Sequence, residues 1–276
     1  AYLMPARQFP TGVVMPYPRR AELLSWAAEK EGRYLIEDDY DSEFKYRGRP
    51  VPSLQSMDAG GKVIYLGTFS KSIAPAIRVS YLILPKDLLP AFHEKAGFLS
   101  CTVPRLDQAI LNEFIQEGYF ERYLNRMRNH YRSKHDRMLE LLKPLEKKFD
   151  IRGQGAGLHL VLHLKNSAAC TDAAGGQEKI GQDEIEQKLA DAARAQGVIV
   201  YPLSEQKLPE EFSSQAIFPE TPCSWQHLPE KLCSRQKLPE NSSSRQQVAP
   251  AILLGYAALT EEEIREGTQK LIQAWS

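Results

Sequence analysis

Hydrophobic and polar positions change period several times along the chain, and the changes mark its elements. From Arg19 to Lys30 (RRAELLSWAAEK), Leu23, Leu24, Trp26, Ala27 and Ala28 share a broad apolar face behind Pro16 and Pro18, which suit a helix start, and Gly32 stops the helix. Tyr2 to Met4 is a short apolar run ending at Pro5. Tyr34 to Ile36, Val63 to Leu66 and Val79 to Leu84 are short apolar runs bounded by turn or polar residues, which predicts strands. Strand and helix alternating with short links predict a mostly parallel sheet covered by helices over residues 1–100. From 101 to 148 the pattern is helical: Leu106 to Gln116, then Tyr119 to Lys148, with apolar Tyr123, Met127, Tyr131, Met138, Leu141, Leu142 and Leu145. The second helix is rich in basic residues. Glu121, Asp136, Glu140 and Glu146 dilute that charge, so a solvated face explains it better than nucleic acid or membrane binding.

A second unit is expected over 149–276. Leu158 to Leu164 (LHLVLHL) alternates as a strand, with His159 and His163 on one face. Four residues of strand separate them by ~13 Å, too far for one metal. Glu184 to Gln196 predicts a helix closed by Gly197. Val198 to Tyr201 and Ile252 to Tyr256 predict strands, and Glu261 to Trp275 a final helix with Thr260 as its N-cap. Near-copies of one segment (QKLPEEFSS from Gln206, QHLPEKLCSR from Gln226, QKLPENSSSR from Gln236) fall within 205–247. Rich in Pro, Ser, Gln and Glu, they predict an inserted mobile surface loop, with too little apolar surface to offset ordering entropy.

Composition narrows the classes. The 276 residues carry 35 basic and 35 acidic side chains, so no bulk positive charge supports nucleic-acid binding. No apolar stretch is long enough for a membrane helix, and the N-terminus lacks a signal pattern. Four scattered cysteines give neither a zinc spacing nor a disulfide framework. A soluble, cytoplasmic chain is expected.

Two segments concentrate chemistry. In LIEDDYDSEF (Leu35 to Phe44) a strand ends in carboxylates, with Asp38 and Tyr40 expected on one face and Asp39 and Asp41 on the other. In YLGTFSK (Tyr65 to Lys71) the next strand ends in hydroxyls and one lysine, and Arg78 follows. Ligands collect at the carboxyl ends of strands in open α/β sheets. Pyridoxal 5'-phosphate (PLP) asks for these groups: a lysine amine for its aldehyde, a carboxylate for its pyridine nitrogen, a phenol for its 3'-oxygen, and hydroxyls with an arginine for its phosphate.

QFPTG (Gln8 to Gly12), EDDYDSEF (Glu37 to Phe44), VIYLGTFSK (Val63 to Lys71), AIRVSYLILP (Ala76 to Pro85) and LLGYAALTEEEI (Leu253 to Ile264) resemble the fold-type-I aminotransferase-like domain of MocR/GabR-type transcription regulators. The resemblance implies an incomplete PLP-binding large domain, linking helices and a small α+β C-terminal domain. It places PLP on Lys71, its pyridine nitrogen by Asp38, its 3'-oxygen by Tyr40, and its phosphate by Thr68, Ser70 and Arg78. It implies a homodimer and a small-molecule effector or amino acid, with DNA read only by a winged helix-turn-helix that would precede this chain. A working aminotransferase is the alternative, and a remnant without cofactor a third reading. Phe9 stands where true aminotransferases have asparagine and these regulators typically an aromatic, while Arg7 departs from the histidine of many relatives and Leu253 from the arginine that many have for the substrate carboxylate.

Overall fold

A computed structural model describes residues 1–48, 51–165, 181–206 and 249–275; the expected repeat insertion lies almost wholly outside them. Two four-stranded sheets organise these residues. The first holds β1 (Tyr2–Leu3), β2 (Leu35–Asp39), β3 (Val63–Thr68) and β4 (Ser80–Ile83) in that order. The first two pairings are parallel and the third antiparallel, so the sheet is mostly parallel as expected. Helix α1 (Tyr17–Ala28) crosses from β1 to β2 and buries Ala27 with Leu35, Leu54 and Val63.

Arg20, on the same helix, is 1% exposed, yet each guanidinium nitrogen has an acceptor: Nε donates to Met15 O, Nη1 to Pro52 O and Nη2 to Pro5 O. A buried guanidinium is tolerable on those terms, and it ties the loops at Pro5, Met15 and Pro52 to α1. Two small elements carried no periodic signal. β1 is two residues long, and α2 (Leu54–Met57) is a single turn capped by Ser53.

After β3 come α3 (Phe69–Ser72), β4, α4 (Leu89–Ala96), α5 (Arg105–Gln116) and α6 (Tyr119–Leu142). The expected helix to Lys148 ends early because Pro144 lacks an N–H and crowds the preceding turn, so Lys143–Lys147 continues as a 3-10 helix. The C-terminal end of α6 packs into the second unit through Met138 and Leu142.

The second sheet runs β5 (Phe149–Arg152), β6 (His159–Leu164), β8 (Ala251–Gly255), β7 (Tyr201–Pro202), all antiparallel. Leu160, Leu162, Ile252 and Leu254 face helices α6, α7 (Gln182–Ala195) and α8 (Glu261–Trp275), forming the largest core. The strand expected from Val198 is shorter because the chain is still closing α7 there: Gly197 N donates to Arg194 O and Val198 N to Ala193 O. Thr260 caps α8 as expected, accepting from Glu263 N while Glu263 accepts from Thr260 N.

Candidate functional site

The carboxyl ends of β2 and β3 lie side by side, with Asp38 opposite Leu66 and Asp39 opposite Gly67. The alternation separates the two acids as the sequence suggested. Asp39 turns to the buried face and accepts from Tyr65 Oη at 2.7 Å and from Ser42 N at 3.2 Å. Asp38 takes the opposite face, where one of its oxygens accepts from the Tyr2 hydroxyl, leaving the other oxygen available. That bond and burial together push the Tyr2 hydroxyl up to about 12, with burial the larger cause. Asp38 lines a hollow of about 290 Å³ with Gly67, Thr68, Ser80 and Tyr81.

Thr68 ends β3 and caps α3: its Oγ1 accepts from Ser70 N at 3.1 Å and donates to Val79 O at 3.3 Å. Arg78 Nη1 reaches Ser70 Oγ and Pro75 O, each at 3.5 Å, from a left-handed backbone conformation with φ of 50°. Thr68, Ser70 and Arg78 are therefore brought together at one turn. Lys71 lies on that turn, exposed, and acts electrostatically on Asp41 and His159.

Tyr40 follows directly after β2, within electrostatic reach of Asp41, Arg7 and Asp38. Its hydroxyl is buried without a hydrogen-bond partner, and burial with Asp41 beside it raises it well above an ordinary phenol. An unpaired buried hydroxyl is costly and calls for a partner. This orphaned donor suits the negatively charged oxygen of a PLP ring, and the free Asp38 oxygen suits its pyridine nitrogen. The residues present fit the cofactor.

Sequence reasoning noted Arg7 only as a departure and did not see its setting. Arg7 is 2% exposed, and its Nη2 donates to His159 O at 2.5 Å, while Nη1 lies 3.6 Å from Asp41 Oδ2. The guanidinium rests on Gly157, where a Cβ would fall 1.0 Å from Nη1. The same glycine's carbonyl accepts from Tyr46 Oη at 2.9 Å and Tyr256 Oη at 2.5 Å. Burial raises Asp41 to about 6 against the pull of Arg7, and burial, then Arg7, lowers His159 to about 3. The glycine-rich stretch GQGAG (Gly153 to Gly157) was the available signal for a close backbone approach.

Leu253 is buried in β8, opposite Val161 of β6 and Tyr201 of β7. The described residues contain no cluster of three or more potential metal ligands, and no helix long and apolar enough to cross a membrane.

A mostly parallel sheet with a hydroxyl-rich turn and a lysine after β3, joined to an antiparallel sheet under helices, defines an α/β domain of the aminotransferase kind. The chain belongs to the aminotransferase class I and II family, whose sequence profile matches residues 8–213. Over all 276 residues it is 36% identical to the uncharacterized HTH-type transcriptional regulator YhdI of Bacillus subtilis, covering 48% of that protein. It is 34% identical over 206 residues to the probable rhizopine catabolism regulatory protein MocR of Rhizobium meliloti, covering 74% of this chain and 38% of that one. Among solved structures, the Thermus thermophilus α-aminoadipate aminotransferase LysN, in complex with N-(5'-phosphopyridoxyl)-L-leucine, superimposes with a TM-score of 0.66 at 26% identity. That match covers 99% of this chain and 57% of LysN. The chain spans about half the length of the regulators it matches end to end.

Proposed function

We propose that this chain is the PLP-binding, effector-sensing and dimer-forming domain of a MocR/GabR-type transcription regulator. The observation that carries the reading is the end-to-end likeness to an HTH-type regulator. The orphaned Tyr40 hydroxyl supports the cofactor part. In this reading DNA is contacted by a separate winged helix-turn-helix, residues 1–100 carry the cofactor, 101–148 link, and 149–276 form the small domain.

PLP, when bound, supplies an electron sink and an aldehyde for amines. The chain's own groups have distinct tasks. Lys71 offers the amine that anchors the cofactor. The second oxygen of Asp38 holds a proton on the pyridine nitrogen by charge pairing, and Tyr40 donates to the 3'-oxygen. Thr68, Ser70 and Arg78, already in mutual contact, grip the phosphate. The second reading, a working aminotransferase moving an amino group between an amino acid and a 2-oxo acid, draws on the likeness to LysN. Sustained exchange between amino and oxo acids would favour it.

The test is purification with PLP, borohydride reduction and peptide mapping. A pyridoxyl mass on Lys71 is expected. The same mass on another lysine, or on none, overturns the site.

A further inference from the structure

The two acids at the end of β2 are held by one device used twice. Asp39 lies opposite Gly67 of β3, and Tyr65, two residues back along that strand, donates its hydroxyl to Asp39 Oδ2 at 2.7 Å. Asp38 is served from the other neighbouring strand. Tyr2 of β1 lies opposite Ile36, which shares a face with Asp38, so Tyr2 stands on that face two residues, ~6.6 Å, short of the acid. Its side chain spans the gap and donates to Asp38 Oδ2. Packing does not explain this ring: Leu3, its neighbour, packs against Ala27, Leu35 and Val63, whereas Tyr2 is 54% exposed. Raised to about 12 by partial burial and then by Asp38, the Tyr2 hydroxyl stays a donor throughout the neutral range. The two acids differ in what lies beyond them. Asp39 also accepts from Ser42 N, whereas Asp38 faces the hollow lined by Thr68 and Ser80.

We propose that Tyr2 is a positioning residue for the cofactor site: its hydroxyl fixes Asp38 with the second oxygen free for the pyridine nitrogen and keeps the shared proton on that nitrogen. The proposal deepens the PLP-binding reading and rests on it. Two effects follow from the one bond. A carboxylate turns readily about its last torsion, so tying Oδ2 to Tyr2 orders the other oxygen before the cofactor arrives. A donated hydrogen bond also stabilises the charged acid and so weakens it as a base. The proton between pyridine and carboxylate then lies with the nitrogen, which keeps the ring an electron sink. Tyr65 does neither, because Asp39 takes the opposite face of the sheet.

The test is nitrogen NMR of the purified chain loaded with PLP labelled at its pyridine nitrogen, with PLP affinity measured alongside. In Tyr2→Phe the nitrogen resonance moves toward that of neutral pyridine, and PLP binds about threefold to tenfold more weakly, because the cofactor itself must then order Asp38. A ring-fluorinated tyrosine at position 2, nearly the same shape with a more acidic hydroxyl, moves the resonance the other way. Tyr65→Phe, which removes the matching bond on the opposite face, leaves it in place. An unaltered resonance in Tyr2→Phe overturns the proposal. So does an equal displacement in Tyr65→Phe, which would mark a general loosening of the strand ends. If Tyr2→Phe does not fold, the fluorinated chain decides: no displacement there, or one toward neutral pyridine, overturns the proposal. A pyridoxyl group on Lys71 with an unmoved resonance overturns this inference alone. No PLP bound to the parent chain, or a pyridoxyl group on another lysine, overturns the cofactor reading and this inference with it.

Discussion

Replacing Gly157 by alanine tests the packing on which the Arg7 cluster depends. The backbone there has φ of +81°, a left-handed conformation that costs an L-residue ~1–2 kcal/mol. The added Cβ would also fall 1.0 Å from Arg7 Nη1 and 2.2 Å from Cζ, so the guanidinium must leave. Its departure strips His159 O of a 2.5 Å donor and leaves Asp41, 3% exposed, without its cation. Breaking a buried ion pair from one side costs ~3–5 kcal/mol. Some relief comes from protonating Asp41, whose carboxyl already titrates near 6. A net loss of about 4 kcal/mol follows, equivalent to roughly 8–16 °C in melting temperature for a domain of this size. Gly197 supplies the control: its φ is +78°, and a Cβ there meets nothing within 4 Å. Gly197→Ala should show the backbone strain alone, about 1 kcal/mol. Urea denaturation of both variants, with Gly157→Ala repeated in an Arg7→Met background, separates the two contributions. In that background the added loss should fall to the Gly197 value, because the obstruction is gone. Equal losses for Gly157→Ala and Gly197→Ala, or strict additivity with Arg7→Met, would refute the packing argument.

Two further measurements address other buried acids. Burial, with Asp39 and Asp41 nearby, lifts Glu43 from 4.5 to about 7 despite Arg128, so the folded chain binds this proton more tightly than the unfolded one. Stability from that proton is complete below pH ~4 and is lost as pH rises through about 7. Glu43→Gln, which mimics the protonated acid, should match the parent in urea at pH 4 and exceed it by on the order of 2 kcal/mol at pH 8; a pH-independent difference contradicts this. Glu186 is 0% exposed and accepts from Ser204 N at 2.7 Å, Ala251 N at 2.8 Å and Gln182 Nε2 at 3.0 Å, joining α7 to the edge of the second sheet. Glu186→Ala leaves the buried Ala251 amide and the part-buried Ser204 amide unpaired, costing ~1–4 kcal/mol, and hydrogen exchange at Ala251 should speed up selectively; unchanged exchange there would argue against the role.

What the sequence made legible, and what it hid, follows from how local each cause is. Helices α1, α5 and α8 were readable because each carries a 3.6-residue apolar stripe, and α8 because its cap, Thr260 with Glu263, lies within three positions of that stripe. Strand β3 was readable because its apolar run is bounded by turn residues, and β6 because its residues alternate with period two. The hydroxyl turn from Thr68 to Ser70 was legible for the same reason, since its hydrogen bonds span two residues. The order β6-β8-β7 was not, because β8 arrives from far along the chain to sit between strands that precede it. Arg7 was hidden most completely. An arginine in a loop reads as solvated, and nothing within ten residues of it reverses that expectation. Its burial needs an acceptor at His159, 152 residues away, and a glycine at 157 to vacate the space. Such dependence is reciprocal: Gly157 need not be glycine for the carbonyl that Tyr46 and Tyr256 share, yet it must be for Arg7 to reach His159 beneath it. A relative carrying a smaller side chain at position 7 would therefore tolerate alanine at 157 at the cost of backbone strain alone, so the two positions are one structural decision made at opposite ends of the fold.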